Sequence, residues 1–432
     1  MAHLGHGLSR VAVVGAGWAG LSAAVTLVEQ GVAVTVFEAS RALGGRARRV
    51  SIDGVDLDNG QHVLIGAYRE TLRLMRLVGA DPDAFLLRIP FELRYADGFR
   101  LRAPRLPYPL NMLFALLGAS GPSLAQSFQA ARFMLALRAH AFRIEPDRSV
   151  AQLLDEHRQA GALRTHAWEP LCVSALNTPV DSASAQVFIN VLRDSLTGER
   201  EASDLLIART DLGRLFPEPA AARVKARGGV IELGAPVRTV NKDERGFSLG
   251  DRPERYSAVI VACVPQQAAP LLAGFSELAA TRKLIEQLDY QPIVTCYLQY
   301  PERVSLPAPM LGFNGGIVQW VFDRGRLGGS KGLLATVISA TGAHEALAKD
   351  ALVSRIETEI KAALGPLPAP RWSRVITERR ATFSCKPALK RPEAMTSVPG
   401  LWLAGDYVAS DYPGTLEAAV RSGVAAATGT GA

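Results

Sequence analysis

Two short apolar runs open the chain, with a helical pattern between them. Val11–Val14 is apolar throughout, as a strand buried on both faces should be. Leu21 to Gln30 has the spacing of a helix that Gly31 ends, and Val32–Phe37 reads as a second strand closing on Glu38. The alternation returns much later. Ala220–Gly229 predicts a helix, Val230–Leu233 and Pro236–Val240 short strands, and Tyr256–Ala262 a buried strand ending near Pro265. Leu401–Ala404 predicts a last strand and Ala418–Ala427 a last helix. Strands spaced by helices imply an α/β chain with a parallel sheet.

Val11 to Val28 contains no charge and follows Arg10, so it could pass for a signal peptide or a membrane span. Its three glycines, with an acid at the end of the next strand, fit a strand-turn-helix unit instead. Gly15, Ala16, Gly17, Trp18, Ala19 and Gly20 match GxGxxG. Gly15 permits the tight turn, Gly17 lets a pyrophosphate approach the backbone, and Gly20 lets helix pack on strand. The helix start at Trp18 and Ala19 presents free N–H groups and partial positive charge to phosphate. Glu38 stands where ribose hydroxyls would be met, and an acid there favours FAD or NAD over NADP.

Leu43, Gly44, Gly45 and Arg46 follow closely, and Asp58 to His62 reads DNGQH. The GGR run resembles the signature of the flavoprotein group that holds monoamine oxidases, phytoene desaturases and protoporphyrinogen oxidases. The resemblance implies FAD. Gly44 and Gly45 would allow close backbone approach, and Arg46 would meet the pyrophosphate charge. Many members carry Ser or Thr three residues after the arginine, where this chain has Arg49. The DNGQH stretch would run beside the flavin, with Gly60 against the ring and Gln61 and His62 as contacts. His62 is the candidate catalytic residue, as a proton donor or as a group that orients a neighbour.

The same resemblance asks for a partner motif at the far end. Gly405 and Asp406 follow the last strand, the acid meeting the ribityl chain. Tyr412, Pro413 and Gly414 then turn into a helix whose first N–H groups, Thr415 and Leu416, would face the negative end of a reduced flavin. The segment around Val237 resembles the family's adenine side. No second GxGxxG is present, so no NAD(P)H domain is expected and the electron donor to FAD is left open.

WEPLCVSALNTP (Trp168 to Pro179), ASAQVF (Ala183 to Phe188), VLRDS (Val191 to Ser195) and AGDYVASDYPGTLEAAVRSG (Ala404 to Gly423) resemble hydroxysqualene dehydroxylases. That resemblance spans nearly the whole chain. It implies reductive removal of the allylic hydroxyl of hydroxysqualene, an apolar isoprenoid, to give squalene for hopanoid synthesis by hydride transfer from reduced FAD. A carotenoid-type desaturase, a flavin amine oxidase using Tyr407 and Tyr412 as part of an aromatic cage, and a non-enzymatic prenyl-lipid carrier are the alternatives. The implied fold is a Rossmann-like FAD-binding domain of the glutathione-reductase, amine-oxidase-like type, with an inserted α+β substrate domain. Residues 1–69, 216–265 and 391–432 would form the first, and 70–215 and 266–390 the second.

Bulk properties refine this. Of 48 basic residues eight are lysines, leaving 48 − 8 = 40 arginines, and net charge is +7. A GC-rich genome accounts for that bias, and so does a basic face resting on anionic lipid. No run is dense enough for nucleic acid. Leu106–Leu117 is apolar but too short to span a bilayer, and Gln126–Arg143 has helical spacing with Phe128, Phe133, Met134 and Leu137 beside Arg132, Arg138 and Arg143. These are either a core helix pair or a peripheral patch that admits a lipid substrate. Four scattered cysteines, without CxxC, offer no metal set and suit a reducing compartment, so the expected location is the cytoplasm; the patch reading would add peripheral contact at the inner face of the cytoplasmic membrane. Cys172 is not expected to be a nucleophile, and Arg193 with Asp194 is read as a local ion pair.

Overall fold

A computed structural model describes residues 10–431, so the first nine residues of the expected cofactor domain lie outside the described residues. In chain order the framework is β1 (Arg10–Val14), α1 (Trp18–Glu29), β2 (Ala33–Glu38), α2 (Arg69–Leu77), α3 (Leu110–Leu117), α4 (Leu124–Ala139), α5 (Glu169–Leu176) and α6 (Pro217–Ala226). It continues with β3 (Val230–Leu233), β4 (Ala258–Val261), β5 (Tyr290–Gln299), β6 (Met310–Gly312), β7 (Trp320–Asp323) and β8 (Leu333–Ser339). The chain closes with α7 (Lys349–Leu364), β9 (Trp372–Phe383), β10 (Leu401–Leu403) and α8 (Leu416–Gly429).

The first sheet is parallel, in the order β3-β2-β1-β4-β10. Its central strands are buried on both faces, which is why they read as unbroken apolar runs rather than as alternation. Period two is still visible in where they point. Val11 and Val13 pack with α1 and α8, whereas Ala12 and Val14 join the core on the opposite side. The second sheet is antiparallel, in the order β6-β7-β8-β5-β9, with α7 packed on it through Leu352, Ile356 and Ile360.

Two sequence expectations shift. The helix α1 starts at Trp18, not Leu21, because Gly17 is extended and its carbonyl already accepts the N–H of Leu21 at 2.9 Å. Pro236–Val240 is not a strand. After β3, Gly234 turns at φ +66° and the N–H groups of Gly234 and Ala235 bond back to Ser40 and Glu38. Only Val240 enters a strand, the first of a small hairpin.

The chain ends meet where α1 crosses α8. A β-carbon on Gly423 would lie 2.1 Å from the carbonyl oxygen of Ala19, so the backbones touch with no side chain between them. The fully buried Glu417, in the first turn of α8, accepts the N–H groups of Glu70 and Thr71 and the Thr71 hydroxyl, capping α2.

Gly423→Val should therefore force α1 and α8 apart and cost about 3 kcal/mol, the upper end for overpacking. Ala425→Val, on the exposed side of the same helix, should change little. Thermal unfolding of the two variants against wild type checks this.

Candidate cofactor and substrate site

Two glycine turns face each other beyond the C-terminal ends of β1 and β2. Gly15 has φ +112° and donates its N–H to Phe37, and a β-carbon there would strike the Ala262 carbonyl at 2.7 Å. Gly20 lies beneath it, its missing β-carbon 1.9 Å from the Gly15 carbonyl, so it packs helix on strand and does not line the cavity. Gly17 is different: a β-carbon there would find only Gly45 Cα at 3.8 Å and would point into open space. No side chain caps α1, so the first-turn N–H groups, Trp18 and Ala19 among them, are turned to that space. The Trp18 indole faces away, donating to Ala47 and packing on Phe216. Gly44 and Gly45 have φ +100° and +63°, and Gly44 N–H donates to Ala16. Glu38 sits where β2 ends, its carboxylate accepting the N–H groups of Ala16 and Ser40 at 2.7 and 2.8 Å.

The far end of the chain supplies the other half. Arg46 pairs with Asp406 and also donates to the Ala381 carbonyl at 2.6 Å. Arg49, the departure from the family pattern, bridges to Glu218 and Asp211 at 3.1 and 3.7 Å instead of making a hydroxyl contact. Gly405 N–H is held by the Ser422 hydroxyl. Thr415 caps α8 through its hydroxyl, but its own N–H is taken by the Pro413 carbonyl at 2.8 Å. The expectation that Thr415 and Leu416 both offer an N–H is thus corrected: Leu416 is the first-turn donor left to the cavity.

One cavity of about 810 Å³ joins all of this. Gly15, Gly17, Glu38 and Val237 line one end, Arg46, Gly405 and Asp406 the middle, and Gly60, Gln61, His62 and Leu416 the inner part. Beyond them the wall turns apolar, with Ile293, Phe322 and Val337 from the second sheet and Ala175 from α5. The hydroxyl of Tyr407 is buried in this wall with no protein partner among the described residues. An orphaned polar atom, open space over Gly17 and two helix starts fit a long anionic ligand with hydroxyls, as FAD is.

Electrostatics separate the inner residues. His62 faces the cavity, and burial, with Arg46 nearby, pushes its imidazole down to about 4. Asp58 is pushed up to about 6, chiefly by burial, against the Leu212 N–H (2.8 Å) and Arg324 that favour its charged form. Gln61 is fixed by donating to the Tyr297 hydroxyl at 2.7 Å and accepting from Arg324 at 3.3 Å. Tyr407 lies in the wall, but Tyr412 turns to Arg421, so the two do not form a cage. Burial raises the Cys172 thiol, and Arg193 pairs with Asp194 at 2.7 Å.

Several wall residues escaped the sequence reading. Asn177, in the ALNTP run, is left-handed at φ +45°; its amide donates to Gln291, Pro292 and Thr382 and accepts from Ala340, tying α5 to β5, β8 and β9. Asn followed by Thr-Pro after a helix signals such a cap. Nothing local marks Ile293, Phe322 or Val337 as inward-facing.

A profile of the family described as flavin containing amine oxidoreductases matches residues 18–429. A hydroxysqualene dehydroxylase from Zymomonas mobilis is 28% identical over 96% of this chain and 97% of its own. A probable zeta-carotene desaturase from Synechococcus elongatus is 24% identical over 97% and 98%. The solved structure of a putative protoporphyrinogen oxidase from Exiguobacterium superposes with a TM-score of 0.69 at 16% identity over 98% of both chains, which bears on the fold.

Gly17→Ala should fold normally yet weaken FAD binding roughly tenfold or more, at least 1.4 kcal/mol, because its methyl enters the cavity. Gly20→Ala should destabilise the protein itself. Flavin titration beside thermal unfolding distinguishes them. Asp58 binds its proton more tightly folded than unfolded, so its contribution is full below pH 4 and is lost as pH rises through about 6. Asp58→Asn keeps the acceptor for Leu212, and its stability relative to wild type should improve by up to about 3 kcal/mol between pH 4 and 8. Denaturant midpoints at both pH values check it.

Proposed function

The chain belongs to the flavin containing amine oxidoreductase family and is an FAD-dependent oxidoreductase, and from that premise we propose that it reductively removes the allylic hydroxyl of hydroxysqualene to give squalene. The observation that carries the reading is the continuity of the cavity, from the glycine turns to the apolar wall of the second sheet. Similarity to hydroxysqualene dehydroxylase along nearly the whole chain supports it.

In this reading the cofactor segments and the two insertions divide the labour as the sequence suggests. Gly15, Gly17, Gly44, Gly45 and the start of α1 would hold the pyrophosphate, Glu38 a ribose and Val237 the adenine. Arg46, Asp406 and Gly405 would sit along the ribityl chain, with Gly60 and Leu416 at the ring. Reduced FAD bound there supplies a hydride. The remaining work belongs to the protein. Losing the hydroxyl leaves an allylic cation on the substrate, so Ile293, Phe322 and Val337 must keep water away from that carbon. The departing oxygen needs a proton, and His62 is the candidate to supply or direct it. An imidazole held near 4 is neutral around pH 7, which suits it to hydrogen-bond the hydroxyl; its assistance as an acid grows as pH falls.

A desaturase running oxidatively would use the same cavity, and the zeta-carotene desaturase relative keeps that second reading in view. An amine oxidase is less well supported, since Tyr412 is turned away and no lysine is among the described residues lining the cavity. No helix among the described residues is long and apolar enough to cross a membrane.

Anaerobic incubation of the reduced holoenzyme with hydroxysqualene should yield squalene as the flavin reoxidises. A desaturated product from oxidised enzyme, with no squalene from reduced enzyme, would overturn the proposal. His62→Ala should retain its flavin and lose roughly a hundredfold in turnover, the usual scale for general acid catalysis. Unchanged turnover would remove His62 from the reaction.

A further inference from the structure

The stripe of α3 faces the wrong way for a core helix. Leu110, Leu113, Phe114 and Leu117 stand at i, i+3, i+4 and i+7, and all are 44–56% exposed, while Asn111 and Ala115 are buried. The helix α4 is apolar on two opposite faces. Ser127, Ala130, Phe133 and Leu137 pack inward, and Leu124, Phe128 and Leu135, 66–77% exposed, lie outward within about 40° of one another around the axis. These two helices thus hold seven of the eleven large exposed apolar side chains among the described residues. An apolar patch this concentrated needs a partner.

Charge says what the partner is. Residues 98–144 contain six arginines and no Asp or Glu. Arg100 and Arg102 face Glu92, but Arg105, Arg132, Arg138 and Arg143 are exposed and have no carboxylate partner among the described residues. Arg132 and Arg138 flank the apolar stripe of α4 on either side. Apolar side chains rimmed by unpaired arginines match the interface of an anionic bilayer, acyl region inside and headgroups at the rim. The hairpin is also joined to the site. Phe133, on the inner face of α4, packs on Trp168 at 5.4 Å, and α5 begins at the next residue and reaches the cavity at Ser174 and Ala175, about 9 Å along its axis.

We propose that the α3–α4 hairpin seats in one leaflet of an anionic lipid bilayer and opens a path along α5 for a lipid substrate. The path rests on the isoprenoid reading above; the seating does not.

Flotation of the holoenzyme with vesicles tests the seating without substrate. The protein should rise with phosphatidylglycerol–phosphatidylcholine vesicles, and less with phosphatidylcholine alone or in high salt. Arg132→Gln, Arg138→Gln and Arg143→Gln should each weaken binding roughly fivefold. Phe114→Ser with Phe128→Ser and Leu135→Ser, with flavin content unchanged, should abolish flotation. Wild type that stays with the lipid-free fraction would overturn the proposal. So would a serine variant that still floats, or a wild-type dimer that this variant splits while vesicles bind neither. Failure of squalene formation with flotation intact would count against the substrate reading alone.

Discussion

The close crossing of α1 and α8 is the constraint on which the site depends. Gly423 removes the side chain that would separate them, and the Ala19 backbone fills the gap. Because the helices meet there, their N-termini open on one cavity although almost the whole chain lies between them. Each helix start carries about half a positive charge. An anionic group lying between the two starts would be favoured by both.

The same cavity sorts its ionisable groups by depth. Its middle keeps one pair, Arg46 with Asp406, and each ion is tolerable only because the other is present. Further in, burial drives His62 towards its neutral form, and outside the cavity lining it makes Asp58 harder to ionise. Gln61 is immobilised by Tyr297 and Arg324. On the proposed reading, chemistry on an apolar substrate would be kept clear of mobile charge, with the fixed charge left where phosphate and sugar would be read.

Much of the nucleotide half was legible because its physics is local. A glycine turn, an uncapped helix start and an acid at a strand end are written within some thirty residues, and their roles follow from backbone geometry. What failed there failed by context: Thr415 spends its N–H on Pro413, and the chain bends back onto the end of β2 at Gly234 and Ala235, so 236–239 form no strand. The substrate half was less legible for a reason of kind. Asn177 matters through four partners 114 to 205 residues away along the chain, and Phe322 faces inward only because β7 pairs with β8. The i, i+3, i+4, i+7 spacing of α3 was readable as a helix, but periodicity gives the stripe and not the side on which it lies.

The position of β10 and α8 has a consequence for how the protein is made. Strand β10 closes the edge of the parallel sheet beside β4, and α8 completes the cavity. Both leave the ribosome after everything else described. Until they arrive, the edge of β4 is unpaired, the Arg46 guanidinium lacks its carboxylate and α2 lacks Glu417. A nascent chain can build the first glycine turn early but cannot close on a flavin. Cofactor closure therefore waits for β10 and α8, after the rest of the described chain has been made.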